Sequence, residues 1–152
     1  MRWFIVIFCS MLLLGSAAKA SDGRVLKVLP QFLDTNGLDS ITPSLYDRDA
    51  YQALLRRNPK LRSGIRFAVQ WKAHALETEP LTIRVEMRGT PGKDLPKESS
   101  IETEVHQRHW FSHWAYLKLD EDKYKAFGEV TAWRVTLWDR DKLLSEQKSF
   151  LW

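Results

Sequence analysis

Hydrophobic and polar residues alternate with a period of two along three long stretches of the chain. Across 65–72, Ile65, Phe67, Val69 and Trp71 alternate with Arg66, Ala68, Gln70 and Lys72. Across 81–88, Leu81, Ile83, Val85 and Met87 alternate with Thr82, Arg84, Glu86 and Arg88. Across 131–138, Trp133, Val135 and Leu137 oppose Arg134, Thr136 and Trp138. Successive strand side chains point to opposite faces, so each stretch reads as a strand with one buried and one wet face, the habit of antiparallel sheets. The Asp139-Arg140-Asp141-Lys142 turn leads from the third stretch into 143–150, a hairpin partner. Phe150, Leu151 and Trp152 then end the chain on an apolar tail, expected to dock as the last strand. Weaker alternation over 25–29, 101–107 and 111–119 brings the total to about seven strands.

Two helical pieces interrupt this pattern. Residues 44–57 read as an amphipathic helix, opened by Thr42-Pro43 and ended by Asn58-Pro59, with Ala50, Leu54 and Leu55 as its apolar stripe. Asp47 and Asp49 at its start and Arg56 and Arg57 at its end complement the helix dipole. A second, shorter piece over 120–127 stops at Gly128. No repeat, low-complexity tract or long linker divides the chain.

Short strands with small helical connections predict an all-β fold: a single two-layer antiparallel β-sandwich with one short helix near 44–57. The second half of the chain resembles an immunoglobulin or fibronectin type III module. The resemblance rests on Tyr116-Leu117-Lys118-Leu119, the helical corner around Tyr124, and Trp133 to Trp138 running through the 139–142 turn into Leu143-Leu144. The disulfide of true immunoglobulin domains is absent, and the 44–57 helix before the second strand departs from the pattern. Such a likeness implies a fold, not a function.

The first twenty residues add a compartment. Arg2 precedes an apolar run from Trp3 to Leu14, followed by Gly15-Ser16-Ala17-Ala18-Lys19-Ala20. This is the layout of a cleaved secretory signal peptide over 1–20, with Ser21 as the new N-terminus and 21–152 as one domain. The apolar stretch falls short of the ~20 residues that span a bilayer, so a retained anchor is the lesser alternative. The only cysteine, Cys9, lies in this leader, so the exported protein contains no disulfide and packing must hold it. Arg2 and Lys19 leave with the leader, lowering the net charge from +4 to about +2. So weak a balance, with no dense run of arginine or lysine, argues against nucleic acid. The expected localisation is periplasmic or extracellular, with no stable membrane insertion after cleavage.

Residue groups that carry chemistry are few. His106, His109 and His113 have helical metal-site spacing but lie in an aromatic, strand-prone segment, where they diverge. Glu102 and Glu104 share a strand face, and Asp120-Glu121-Asp122 sits at a turn; both read as solvated charge. No Gly-x-Ser-x-Gly elbow, His-Glu-x-x-His pair or phosphate-binding glycine loop occurs. No metal or cofactor is implied.

Tryptophan is the richer signal. Of seven tryptophans, all but Trp3 lie beyond the leader. Parity places Trp71 and Trp133 inside. With Phe111, Ala115, Leu117 and Leu119 facing inward, Trp110, Trp114 and Tyr116 face outward, as does Trp138 on its own strand. Trp110, Trp114, Tyr116 and Trp138, with Arg84 beside them, form the candidate binding face. Three accounts of it stand open. The aromatics pack under the helix or under Arg66, Lys72, Arg84 and Arg88 in cation–π contacts; they form a protein-binding patch; or they form a sugar platform. The expected function is a non-catalytic binding module for an envelope protein or polysaccharide. A carbohydrate-binding module and a secreted enzyme with an unrecognised site are the alternatives.

Overall fold

A computed structural model describes residues 22–74, 80–91, 95–106 and 111–152. The expected leader, His109 and Trp110 lie outside the described residues. The elements are β1 (Asp22–Asp34), α1 (Leu45–Arg57), a 3-10 turn (Pro59–Leu61), β2 (Arg62–His74), β3 (Leu81–Thr90), β4 (Lys97–Val105), β5 (His113–Leu119), α2 (Glu121–Phe127), β6 (Glu129–Asp139) and β7 (Lys142–Lys148).

The strands form two antiparallel sheets, a three-stranded one in the order β1-β2-β5 and a four-stranded one in the order β4-β3-β6-β7. This is the expected all-β sandwich, in an order compatible with immunoglobulin and fibronectin type III architecture. The period-two residues of β2 and β3 fill the space between the layers: Phe67, Val69, Ile83, Val85 and Met87 are wholly buried. Phe67 and Trp133 meet edge to face across the layers, with centroids 6.3 Å apart. Each buried side chain of this size contributes roughly 1.5–3 kcal/mol through removal of apolar surface from water.

β1 is an edge strand, and its free edge is closed in two ways. Near its start the Val25 N–H donates to Ser145 Oγ of β7, 3.1 Å away. Near its end the side-chain amide of Gln52 takes the place of a neighbouring strand. Its Oε1 accepts from Phe32 N–H at 2.8 Å, and its Nε2 donates to the carbonyls of Phe32 and Asp39 at 2.9 and 2.7 Å. Unpaired edge groups invite aggregation; here a helix side chain satisfies them. The buried residues of α1 are Gln52 and Leu55, while Leu54 is exposed. The anticipated stripe of Ala50, Leu54 and Leu55 is thus narrower than its sequence suggests, because α1 is moored by hydrogen bonds at a sheet edge and not laid across a sheet.

The start of α1 is a cap. Ser44 Oγ accepts from Asp47 N–H, and Asp47 accepts from Thr42 Oγ1. At its far end the buried Arg62 donates to the carbonyls of Leu55 and Arg56 and stacks 4.0 Å from the Phe32 ring. A cation on the last carbonyls is favourable there. The short α2 buries Tyr124 and Phe127 and stops at Gly128, whose φ of 87° and ψ of −160° belong to a region open essentially to glycine alone.

Two expectations fail at strand ends. Phe111 does not face inward: β5 begins at His113, and Phe111 precedes it with 62% of its surface exposed. The C-terminal tail is not a last strand either. β7 ends at Lys148, Phe150 and Leu151 stand exposed, and the chain turns so that Trp152 N–H donates to the Ser149 carbonyl. Trp152 instead lies against the arginines on the outside of the four-stranded sheet.

Candidate functional site

The sandwich has two outer faces, and the candidate binding residues that are described are divided between them. Trp114 and Tyr116 project from β5 on the outer face of the three-stranded sheet. Arg84 from β3 and Trp138 from β6 project from the four-stranded sheet on the opposite side of the molecule. The single face joining all of them does not form, because β2 pairs with β5 while β3 pairs with β6.

The four-stranded face is closed upon itself. Arg84 meets Glu102 at 2.6 Å, and Arg88 meets Glu98 at 2.9 Å. Arg134 grips Glu86 with two bonds of 2.7 and 2.9 Å. Those bonds, acting against the cost of burial and aided by Arg84 and Arg88, hold the Glu86 carboxyl below its ordinary range and raise the Arg134 guanidinium. Trp152 lies 4.2 Å from the Arg88 guanidinium and 4.9 Å from that of Arg134. Trp138 donates its indole N–H to Thr136 at 2.8 Å and carries Arg84 5.4 Å from its ring. The expected cation–π cover is therefore present here, and every arginine of β3 and β6 has a carboxylate partner.

The three-stranded face is the reverse. The register places Lys27, Gln70 and Trp114 in one row, Leu29, Ala68 and Tyr116 in the next, and Gln31, Arg66 and Lys118 in a third. Rows lie about 6.7 Å apart along the strands and neighbouring strands about 4.8 Å apart. A bulge between Val25 and Lys27 lets both Arg24 and Lys27, three positions apart, project from this outer face. Trp114 and Tyr116 are 42% and 59% exposed, and α1 does not bury them. Between them and β1 lies a depression of about 320 Å³, floored by Ala68 and walled by Arg48 of α1. It runs into a groove of about 630 Å³ between α1 and β1, reaching Arg56.

Charge on this face is largely unpaired. Arg66 is held by Asp39 at 2.7 Å and lies 5.0 Å from the Tyr116 ring, and Lys118 reaches Asp120 at 3.4 Å. Among the described residues, no ion pair involves Arg24, Lys27, Arg48, Arg56 or Lys72. Parity already pointed Arg66 and Lys72 outward. The sequence has no local signature that sets Lys27 or Arg48 beside these aromatics: the bulge and the seating of α1 bring them there.

The remaining candidates have other occupations. His113 turns its ring to Trp71, 5.5 Å away, and His106 is exposed after β4. No group of three or more metal-ligating side chains is gathered among the described residues. Glu102 serves Arg84, Asp120 serves Lys118, and Glu121 pairs with Lys125 one helical turn on. No helix among the described residues is long and apolar enough to cross a membrane. Compared with known protein families, curated proteins and solved structures, the chain matches none.

Proposed function

We propose that this chain is an exported, non-catalytic binding module of the immunoglobulin-like or fibronectin type III-like kind. It binds through the outer face of the β1-β2-β5 sheet, with Trp114 and Tyr116 as flat contact surfaces and, around them, Lys27, Arg48 and Lys72, which form no ion pair among the described residues. Arg84 and Trp138 belong to a structural network on the other side and take no part.

The observation that carries this is the asymmetry of ion pairing between the two faces. Paired arginines on the four-stranded sheet have little attraction left for a partner. Unpaired cations beside half-exposed aromatics have both long-range attraction and contact area to offer. The leader over 1–20 supports export.

The test compares two double variants in a depletion assay against immobilised polysaccharides and a defined acidic polypeptide. Trp114→Ala/Tyr116→Ala is expected to abolish capture, and Arg84→Ala/Trp138→Ala to leave it intact. The opposite ranking, with both variants folded by circular dichroism, overturns the assignment of the face.

A further inference from the structure

We infer that the ligand of this face is an acidic polysaccharide, a chain of sugar rings bearing carboxylates; this rests on the face proposed above. Two independent features of the face meet the two halves of that chemistry.

The first is a cluster of positive charge whose members make no ion pair among the described residues. Arg24 lies directly opposite Lys72 in the β1–β2 register, on the outer face, and neither has a carboxylate partner among the described residues. Like charges placed opposite one another in a sheet are destabilising. Lys27 stands one row away, opposite Gln70, with Trp114 beyond it on β5. A bound anion relieves this repulsion; Asp22, which lines the same depression, makes no ion pair with either cation. The second feature is the aromatic pair. Trp114 and Tyr116 are next-but-one residues of a single strand, about 6.7 Å apart. Both project from the same side of the sheet. The C–H faces of successive sugar rings stack on surfaces placed in this way.

Charge density separates a glycan from nucleic acid. A nucleic acid carries a phosphate on every nucleotide and is met by dense clusters of lysine and arginine. Rows on this face repeat at about 6.7 Å, and only some carry a cation. One carboxylate per sugar ring is the sparser match. An acidic peptide supplies charge but no flat ring for Trp114. The depression between Tyr116, Ala68 and Arg48, continuing along α1 to Arg56, provides a track for a chain, not a closed pocket for a single small molecule.

The test uses beads carrying polygalacturonate, alginate, cellulose, chitin, polyglutamate or single-stranded DNA, with the purified protein at low and moderate salt. Capture by polygalacturonate or alginate, weakened by salt, is the expected result. It should fall about tenfold or more in Trp114→Ala/Tyr116→Ala and in Lys27→Gln/Lys72→Gln, each tenfold being about 1.4 kcal/mol. All these residues are outside the core, and thermal melting of each variant verifies folding. Equal capture by polyglutamate or DNA, insensitive to the aromatic variant, overturns the glycan and leaves charge alone. Capture by cellulose or chitin only, lost in the aromatic variant, overturns the acidic ligand while keeping the face. No capture on any bead, or capture that neither variant reduces, overturns the proposed function as well.

Discussion

Arg24 and Lys72 are register partners on the outside of the β1–β2 ladder, two like charges face to face, with Asp22 lining the same depression but in ion-pair contact with neither. Replacing Lys72 by glutamate creates an opposite-charge pair at the same position and is expected to stabilise the protein by about 0.5–1 kcal/mol. Urea unfolding measures that gain. Binding to an acidic glycan should weaken in the same variant, so stability and binding move in opposite directions.

Gln52 closes the free edge of β1 with three hydrogen bonds to backbone groups. Leucine has a similar volume but none of these bonds, and it leaves Phe32 N–H and two carbonyls without partners. Gln52→Leu is expected to cost about 2–4 kcal/mol in urea unfolding. Leu54→Ala, on the exposed side of the same helix, should change stability by less than about 0.5 kcal/mol.

Tyr51 donates its hydroxyl to Asp34 at 2.7 Å, joining α1 to the end of β1. Burial pushes the Asp34 carboxyl up, but this bond and those from backbone N–H groups outweigh it and hold the carboxyl below its ordinary value. Its contribution is complete above about pH 4, the unfolded value, and is lost as pH falls through the lower folded value. The Tyr51 hydroxyl, hydrogen-bonded to an anion, is shifted upward. Its contribution is complete below about pH 10 and is lost as pH rises through the folded value. Tyr51→Phe should therefore flatten the dependence of melting temperature on pH at both extremes while lowering it in between.

Gly37 and Gly128 both have positive φ, at 76° and 87°. A Cβ on Gly37 meets nothing closer than Lys118 Nζ at 4.0 Å, whereas one on Gly128 would come within 2.5 Å of Pro91 Cα. Gly37→Ala is expected to cost about 1–2 kcal/mol, the local conformational penalty alone. Gly128→Ala should exceed about 3 kcal/mol, because strain and a backbone clash add.

Side-chain parity made the strands and their inward faces legible: Ile65, Phe67, Val69, Leu81, Ile83 and Val85 are buried as their alternation requires. Parity also set Trp114 and Tyr116 outward. It says nothing about which strands become neighbours. Arg84 and Tyr116 are both outward residues, yet the β2–β5 and β3–β6 pairings put them on opposite sides of the sandwich. The bulge before Lys27 and the docking of Arg48 depend on contacts distant in sequence, so a charge cluster that exists only in three dimensions had no local trace. The tail misled for a related reason. Leu151 and Trp152 look like strand residues, but Trp152 finds a place over Arg88 and Arg134 outside the sheet.

The central claim is that the three-stranded face, and not the four-stranded one, meets an acidic glycan. Backbone amide NMR spectra recorded while oligogalacturonate is titrated into the protein test it most directly. Shifts clustered at Lys27, Ala68, Gln70, Trp114 and Tyr116, with Arg84, Arg134 and Trp138 unmoved, are the predicted result. Shifts clustered at Arg84, Arg134 and Trp138, or none anywhere at saturating ligand, would contradict it.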